Sequence, residues 1–175
     1  MYDRARTTIT LFTIGHSRHT AEQFVALLRA HAIEQLVDVR SQPHSKWAPH
    51  FDKAALARYL GDHHVEYVFL GRQLGGRPDS REFYRQDGTV DYARRAMSPD
   101  FVEGISRLVA LAQCRWTVIL CSEEDPTSCH RRLLVTPALA RSGAAVVHVR
   151  GDGRLEPELD PTPAATQLDL FGDPA

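Results

Sequence analysis

The sequence predicts an α/β fold: a single three-layer domain with a mostly parallel sheet of about five strands flanked by helices. Three observations carry this. Short apolar runs alternate with amphipathic helical patterns along the chain. Runs such as Trp116-Thr117-Val118-Ile119-Leu120 and Ala145-Val146-Val147 are continuous, the pattern of parallel strands buried on both faces. Polar, titratable and glycine residues gather directly after each run, where open parallel sheets collect ligands.

The first strand is expected at Ile9–Ile14, followed by Gly15-His16-Ser17-Arg18. Residues 20–31 read as a helix: Thr20 is placed to cap it, Glu22 and Gln23 follow, and Phe24, Leu27 and Leu28 form a stripe. A second strand, Gln35–Val39, holds Asp38 near its end and leads into Arg40-Ser41-Gln42-Pro43-His44. In the loop that follows, Trp47 and Phe51 are expected to cover the edge of the core. Asp52 is expected to cap a helix carrying Leu56, Tyr59 and Leu60, ended by Gly61. The third strand, Tyr67–Leu70, opens into Gly71-Arg72-Gln73-Leu74-Gly75-Gly76-Arg77. Residues 91–113 are helical, in one piece or in two broken near Ser98-Pro99. A fourth strand, Trp116–Cys121, runs into Ser122-Glu123-Glu124-Asp125. The last helix spans about Cys129 to Arg141, with Pro137 predicting a kink or an early end. Ala145–Val149 is the fifth strand. From about Leu155 the periodicity stops and Pro157, Pro161 and Pro163 appear, so residues 1–155 form the domain and 156–175 a flexible tail.

Composition narrows the function. Of 175 residues 43% are hydrophobic and 25% charged, which excludes a disordered chain. The formal charge of −1 provides no global basic field for nucleic acid. Three cysteines argue against a disulfide framework. No apolar signal segment or membrane span is evident, so a cytoplasmic protein with reduced thiols is expected.

Cys129 and His130 open the last helix, with Arg131 beside them. A helix start near arginines binds anions, and a thiol there has a lowered pKa and is reactive. Cys121 and Glu123 follow the most apolar strand, where Glu123 is placed for proton transfer and Cys121 for nucleophilic attack or simple burial. The loop from Gly71 to Arg77 allows close approach of a ligand, with Arg72 and Arg77 as a phosphate clamp. Gly-Lys-Ser/Thr and GxGxxG are absent, which removes support for nucleotide hydrolysis and dinucleotide binding. Cys121 and Cys129 have C-x7-C spacing, which is not a standard zinc pattern, so neither metal nor cofactor is expected. In the tail, Gln167-Leu168-Asp169-Leu170-Phe171 offers a glutamine and two apolar anchors, suited to docking in a pocket.

That peptide resembles the bacterial sliding-clamp-binding motif, which implies the DNA polymerase sliding clamp as partner. Thr13-Ile14-Gly15-His16-Ser17, Asp38-Val39-Arg40, Leu74-Gly75-Gly76-Arg77, Leu120-Cys121-Ser122-Glu123 and Cys129-His130-Arg131 together resemble the domain-of-unknown-function 488 family over residues 9–150. The resemblance implies one α/β domain and no particular reaction. A weaker similarity is to rhodanese-like sulfurtransferases and cysteine phosphatases, although neither Cys121 nor Cys129 has their Cys-to-Arg spacing. The first expectation is a DNA repair- or replication-associated protein, recruited by the clamp, that processes nucleic acid or nucleotide. Its catalytic candidates are His16, Cys121, Glu123, Cys129 and His130. Its ligand-binding candidates are Ser17, Asp38, Arg40, Arg72, Gly75, Gly76, Arg77 and Arg131. The alternatives are a thiol-dependent enzyme on a small anionic substrate and a non-catalytic adaptor.

Overall fold

The computed structural model describes residues 9–158. The expected clamp-binding peptide, Gln167 to Phe171, lies outside them. Six strands form one sheet in the order β3-β2-β4-β1-β5-β6. Strands β1 (Thr10–Gly15), β2 (Gln35–Asp38), β3 (Glu66–Phe69), β4 (Thr117–Cys121) and β5 (Ala145–Val149) are parallel, as their continuous apolar runs predict. The sixth, β6 (Leu155–Pro157), pairs antiparallel with β5. It falls across the boundary expected at residue 155. Three residues ending in proline carry no alternation to read, and proline is tolerated because this is an edge strand.

Helices cover both faces. α1 (Ala21–Ala30) and α2 (Lys53–Asp62) pack Phe24, Leu28, Leu56 and Leu60 against Phe12, Ile14, Leu36, Val118 and Leu120. On the other face, α3 (Gly71–Leu74), α5 (Pro99–Cys114) and α6 (Thr136–Arg141) pack Leu74, Phe101, Ile105, Leu108 and Leu139 against Leu11, Val37, Ile119 and Val146. Each such buried side chain stabilises the fold by roughly 1.5–3 kcal/mol relative to exposure. Because successive strand residues face opposite ways, one run supplies both cores.

Local signals explain most element ends. The Thr20 side chain accepts from the Gln23 N–H while the Gln23 side chain accepts from the Thr20 N–H, a capping box at the start of α1. Asp52 occupies the N-cap of α2, but its carboxylate turns back to the Ser45 N–H and to His44. α2 runs past Gly61, and the chain reverses at His64 with a positive φ of 62°. The helical stretch breaks at Ser98 into α4 (Tyr92–Ala96) and α5. Pro137 has no N–H to give to the preceding turn, and residues Arg131–Val135 form a wide π turn before α6. There the Thr136 N–H and hydroxyl both bond the Arg131 carbonyl. Phe51 is buried as expected, whereas Trp47 is 96% exposed and covers nothing. No helix among the described residues is long and apolar enough to cross a membrane.

The β5–β6 edge is held by a polar chain. Thr13 Oγ1 bonds His148 Nδ1 at 2.7 Å, His148 Nε2 bonds Glu158 at 2.8 Å, and Arg132 clasps the same carboxylate at 2.8 and 3.0 Å. Burial holds His148 below its ordinary value of 6.5. Burial opposes ionisation of Glu158, but the Arg132 and His148 hydrogen bonds outweigh it and hold the carboxyl below its ordinary 4.5. The fold therefore favours neutral His148 and ionised Glu158. Their stabilisation is present above those ordinary values and is lost as pH falls through the lower folded ones. Urea unfolding across a pH series should show stability falling on acidification. Glu158→Gln should cost about 1–3 kcal/mol at pH 7 and flatten the acid limb.

Candidate active site

Connections leaving β2 carry α2 to one face, while those leaving β4 carry α6 to the other. Between two adjacent strands whose connections diverge, a crevice opens at their carboxyl ends. Here it is a cleft of about 510 Å³. Its walls are Arg40, Ser41, Gln42 and His44 after β2, Gly76 and Arg77 after α3, and Tyr92 from α4. Cys121, Ser122, Glu123, Ser128, Cys129 and His130 complete it.

Three side chains meet in the cleft. His130 Nδ1 lies 3.5 Å from Cys121 Sγ and 3.9 Å from Cys129 Sγ. His130 Nε2 is 3.2 Å from the Val39 carbonyl. A carbonyl only accepts, so Nε2 carries a proton and Nδ1 is the ring atom that faces the sulfurs. The Cys129 thiol donates to Cys121 and holds its thiol well below the usual value against the opposing effect of burial. Cys129 is pushed up, first by its hydrogen bond with Cys121 and then by burial. The pair thus favours one thiolate sharing one proton.

Gly76 makes room for this arrangement. A Cβ there would sit 2.6 Å from both Cβ and Cγ of His130. These atoms lie at the root of the side chain, so the ring cannot swing aside cheaply.

Seven of the thirteen expected domain residues line the cleft: Arg40, Gly76, Arg77, Cys121, Glu123, Cys129 and His130. The arginines divide sharply. Arg40 is buried, with Nε and NH2 on the Asp38 carboxylate and NH2 also on the Phe51 carbonyl; Tyr67 donates to Asp38 at 2.7 Å. Arg131 is wholly buried and donates to the Glu123 and Glu124 carbonyls, the latter at 2.6 Å. Arg72 is exposed away from the cleft walls, and its carbonyl accepts from Arg95. Arg77 is exposed at the rim, and its guanidinium has no hydrogen-bond or ion-pair partner among the described residues.

The others stand behind the walls. His16 is buried and stacked on Phe51 with ring centroids 4.4 Å apart; burial and then the Arg40 charge lower it to about 4. Its Nδ1 meets the Ser17 carbonyl, and its Nε2 has no partner among the described residues. Ser17 has a positive φ of 47° and its N–H bonds the Ser122 carbonyl. Gly75 packs against Ser41. Sequence reasoning did not choose Ser41, Gln42, His44, Tyr92, Ser122 or Ser128 as site residues. Ser41–His44, Ser122 and Ser128 lie in the segments that follow strands, but Tyr92 has no local signal. Arg95 was also missed. It is buried and binds Asp100 and the Arg72 and Gln73 carbonyls, tying α4 to α3.

The model of the family described as Domain of unknown function DUF488 matches residues 20–137. The chain belongs to the DUF488 family. That match includes β2, the Gly75-Gly76-Arg77 turn and the whole Cys121–His130 segment, while His16 and Ser17 precede it. No curated protein and no solved structure matches the chain.

Gly76→Ala should displace the His130 ring. The expected cost is about 1–3 kcal/mol in urea unfolding. His130 ring-nitrogen NMR shifts should show loss of the Val39 hydrogen bond in a protein that still folds.

Proposed function

We propose that this DUF488 domain is a thiol-dependent enzyme acting on a small anionic substrate in the cleft. The observation that carries this reading is the 3.5 Å approach of Cys121 Sγ to a His130 ring whose tautomer the Val39 carbonyl fixes. Nucleophile, base and a third group orienting the base form the arrangement by which a weak nucleophile is activated. Cys121 Sγ, the thiolate of the pair, attacks an electrophilic centre, and the proton held on Cys129 reaches the leaving group through His130 Nδ1. Glu123, exposed at the rim, is a second proton carrier. Arg77 orients the substrate anion by hydrogen bonds that its guanidinium has free. The buried Arg131 fork is committed to carbonyls, so this reading departs from the phosphatase pattern of an arginine wrapped around the nucleophile.

Alkylation tests this without a known substrate. Cys121→Ser should abolish fast modification at neutral pH, and His130→Gln should slow it by roughly 10²–10⁴-fold. Anionic iodoacetate should be favoured over neutral iodoacetamide, and Arg77→Ala should lower that ratio by roughly threefold or more. Unchanged rates in the His130 and Arg77 variants would sink the reading.

The tail supports a second proposal: recruitment of the domain to DNA by the bacterial sliding clamp. Its support is the Gln167-Leu168-Asp169-Leu170-Phe171 peptide. β6 runs antiparallel to β5, so the chain at Glu158 is heading away from the strand ends that carry the cleft. Effective concentration near DNA would compensate for the absence of a basic surface field. A labelled Pro161–Ala175 peptide should bind purified clamp with micromolar or tighter affinity, about −8 kcal/mol. Leu170→Ala with Phe171→Ala should abolish that binding.

A further inference from the structure

We propose that Cys121, Cys129 and His130 form a binding site for a soft divalent cation, Zn2+, with its fourth coordination position open to the cleft. The inference uses the side chains of the thiol reading and adds a regulator to it.

The three donor atoms, Cys121 Sγ, Cys129 Sγ and one His130 ring nitrogen, lie within 4.8 Å of one another. Zn–S bonds of about 2.3 Å and Zn–N bonds of about 2.0–2.1 Å in a tetrahedron place nitrogen and sulfur roughly 3.6 Å apart. The Nδ1-to-sulfur separations of 3.5 and 3.9 Å bracket that edge. The donors are therefore already near the spacing an ion would impose.

The surroundings fit as well. A ligating histidine commonly donates its other ring N–H to a carbonyl or carboxylate, which fixes the tautomer and the ring plane. His130 does this through Nε2 to Val39, leaving Nδ1 for the ion. Gly76 holds the ring from behind, and Cys121 sits on the rigid end of β4. Two thiolates and an imidazole select a soft or borderline cation over Mg2+ or Ca2+. Binding releases the thiol protons to solvent. All three ligands line the cleft, so water or a small anion completes the tetrahedron there. Sequence spacing argued against this site because the ligands reach one point through the fold, from a strand end and the turn before α6.

The functional consequence is specific. A bound ion occupies the Cys121 lone pair that would attack and the Nδ1 lone pair that would take the proton. Zinc therefore silences the thiol chemistry, and its removal restores it.

The test uses the full chain, reduced and stripped with a chelator. Zn2+ titrated against a chromophoric competitor should bind at one equivalent, tighter than about 1 μM. Cys121→Ser, Cys129→Ser and His130→Gln should each weaken it at least a hundredfold. Co2+ on the wild-type chain should give the visible bands of a tetrahedral site with thiolate charge transfer, a readout that needs no variant to fold. One equivalent of Zn2+ should also protect Cys121 from iodoacetamide. Absence of saturable binding, octahedral Co2+ spectra, or affinity unchanged by Cys129→Ser would overturn the proposal. Alkylation of the metal-free chain separates the two ideas. His130-dependent alkylation without zinc binding fails this inference alone, and zinc binding without His130-dependent alkylation fails the thiol reading alone.

Discussion

A guanidinium with no exposed surface, that of Arg131, ties the two halves of the cleft together. The half that ends β4 supplies Cys121 and Glu123, and the half that starts the turn before α6 supplies Cys129 and His130. Arg131 follows the second half and donates to the Glu123 and Glu124 carbonyls of the first. Removing a buried charge from water is expensive unless its hydrogen bonds are met, so the loop carbonyls must stay where the fork can reach them. Gly15 completes the lock from the other side: a Cβ there would lie 1.7 Å from the Glu123 carbonyl oxygen. The loop is thus pressed against β1 by one constraint and held by Arg131 through the other. The thiol–imidazole distances are consequences of that closure.

What could be read from the sequence follows from where each signal resides. Five strands were legible within about a residue because a buried parallel strand is written as a contiguous apolar run. The capping box of α1, the break at Ser98 and the disturbance at Pro137 were legible because each rests on local chemistry. Strand β6 was not, because three residues on an edge need no distinctive pattern. The rule that ligands gather at strand ends points to the crevice, and Cys121, Glu123, Cys129 and His130, named from the sequence, line it. The roles of the arginines were not legible. Arg40, Arg77 and Arg131 look alike in sequence, and only burial separates two fold-holding cations from one free at the rim. The exposure of Trp47 is illegible for the same reason, since hydrophobicity alone does not say which side chain of a loop turns inward.

This division of arginines shapes the electrostatics of the cleft. Arg40 is neutralised in place by Asp38, and Tyr67 completes the carboxylate's shell. A pair of opposite charges at 2.6 Å exerts little field at a distance. The exposed charges at the rim are then a cation on Arg77 and a carboxylate on Glu123, on segments that follow different strands. Such a cleft is not a general anion trap, in keeping with a chain whose formal charge is −1. In the proposed thiol reading, an anionic group bound beside Arg77 would leave the substrate's remainder facing the thiols and Glu123. Selectivity would then depend on the spacing of one cation and one carboxylate, carried on a loop anchored by Arg131 at the Glu123 carbonyl and on a turn packed at Gly76 against His130.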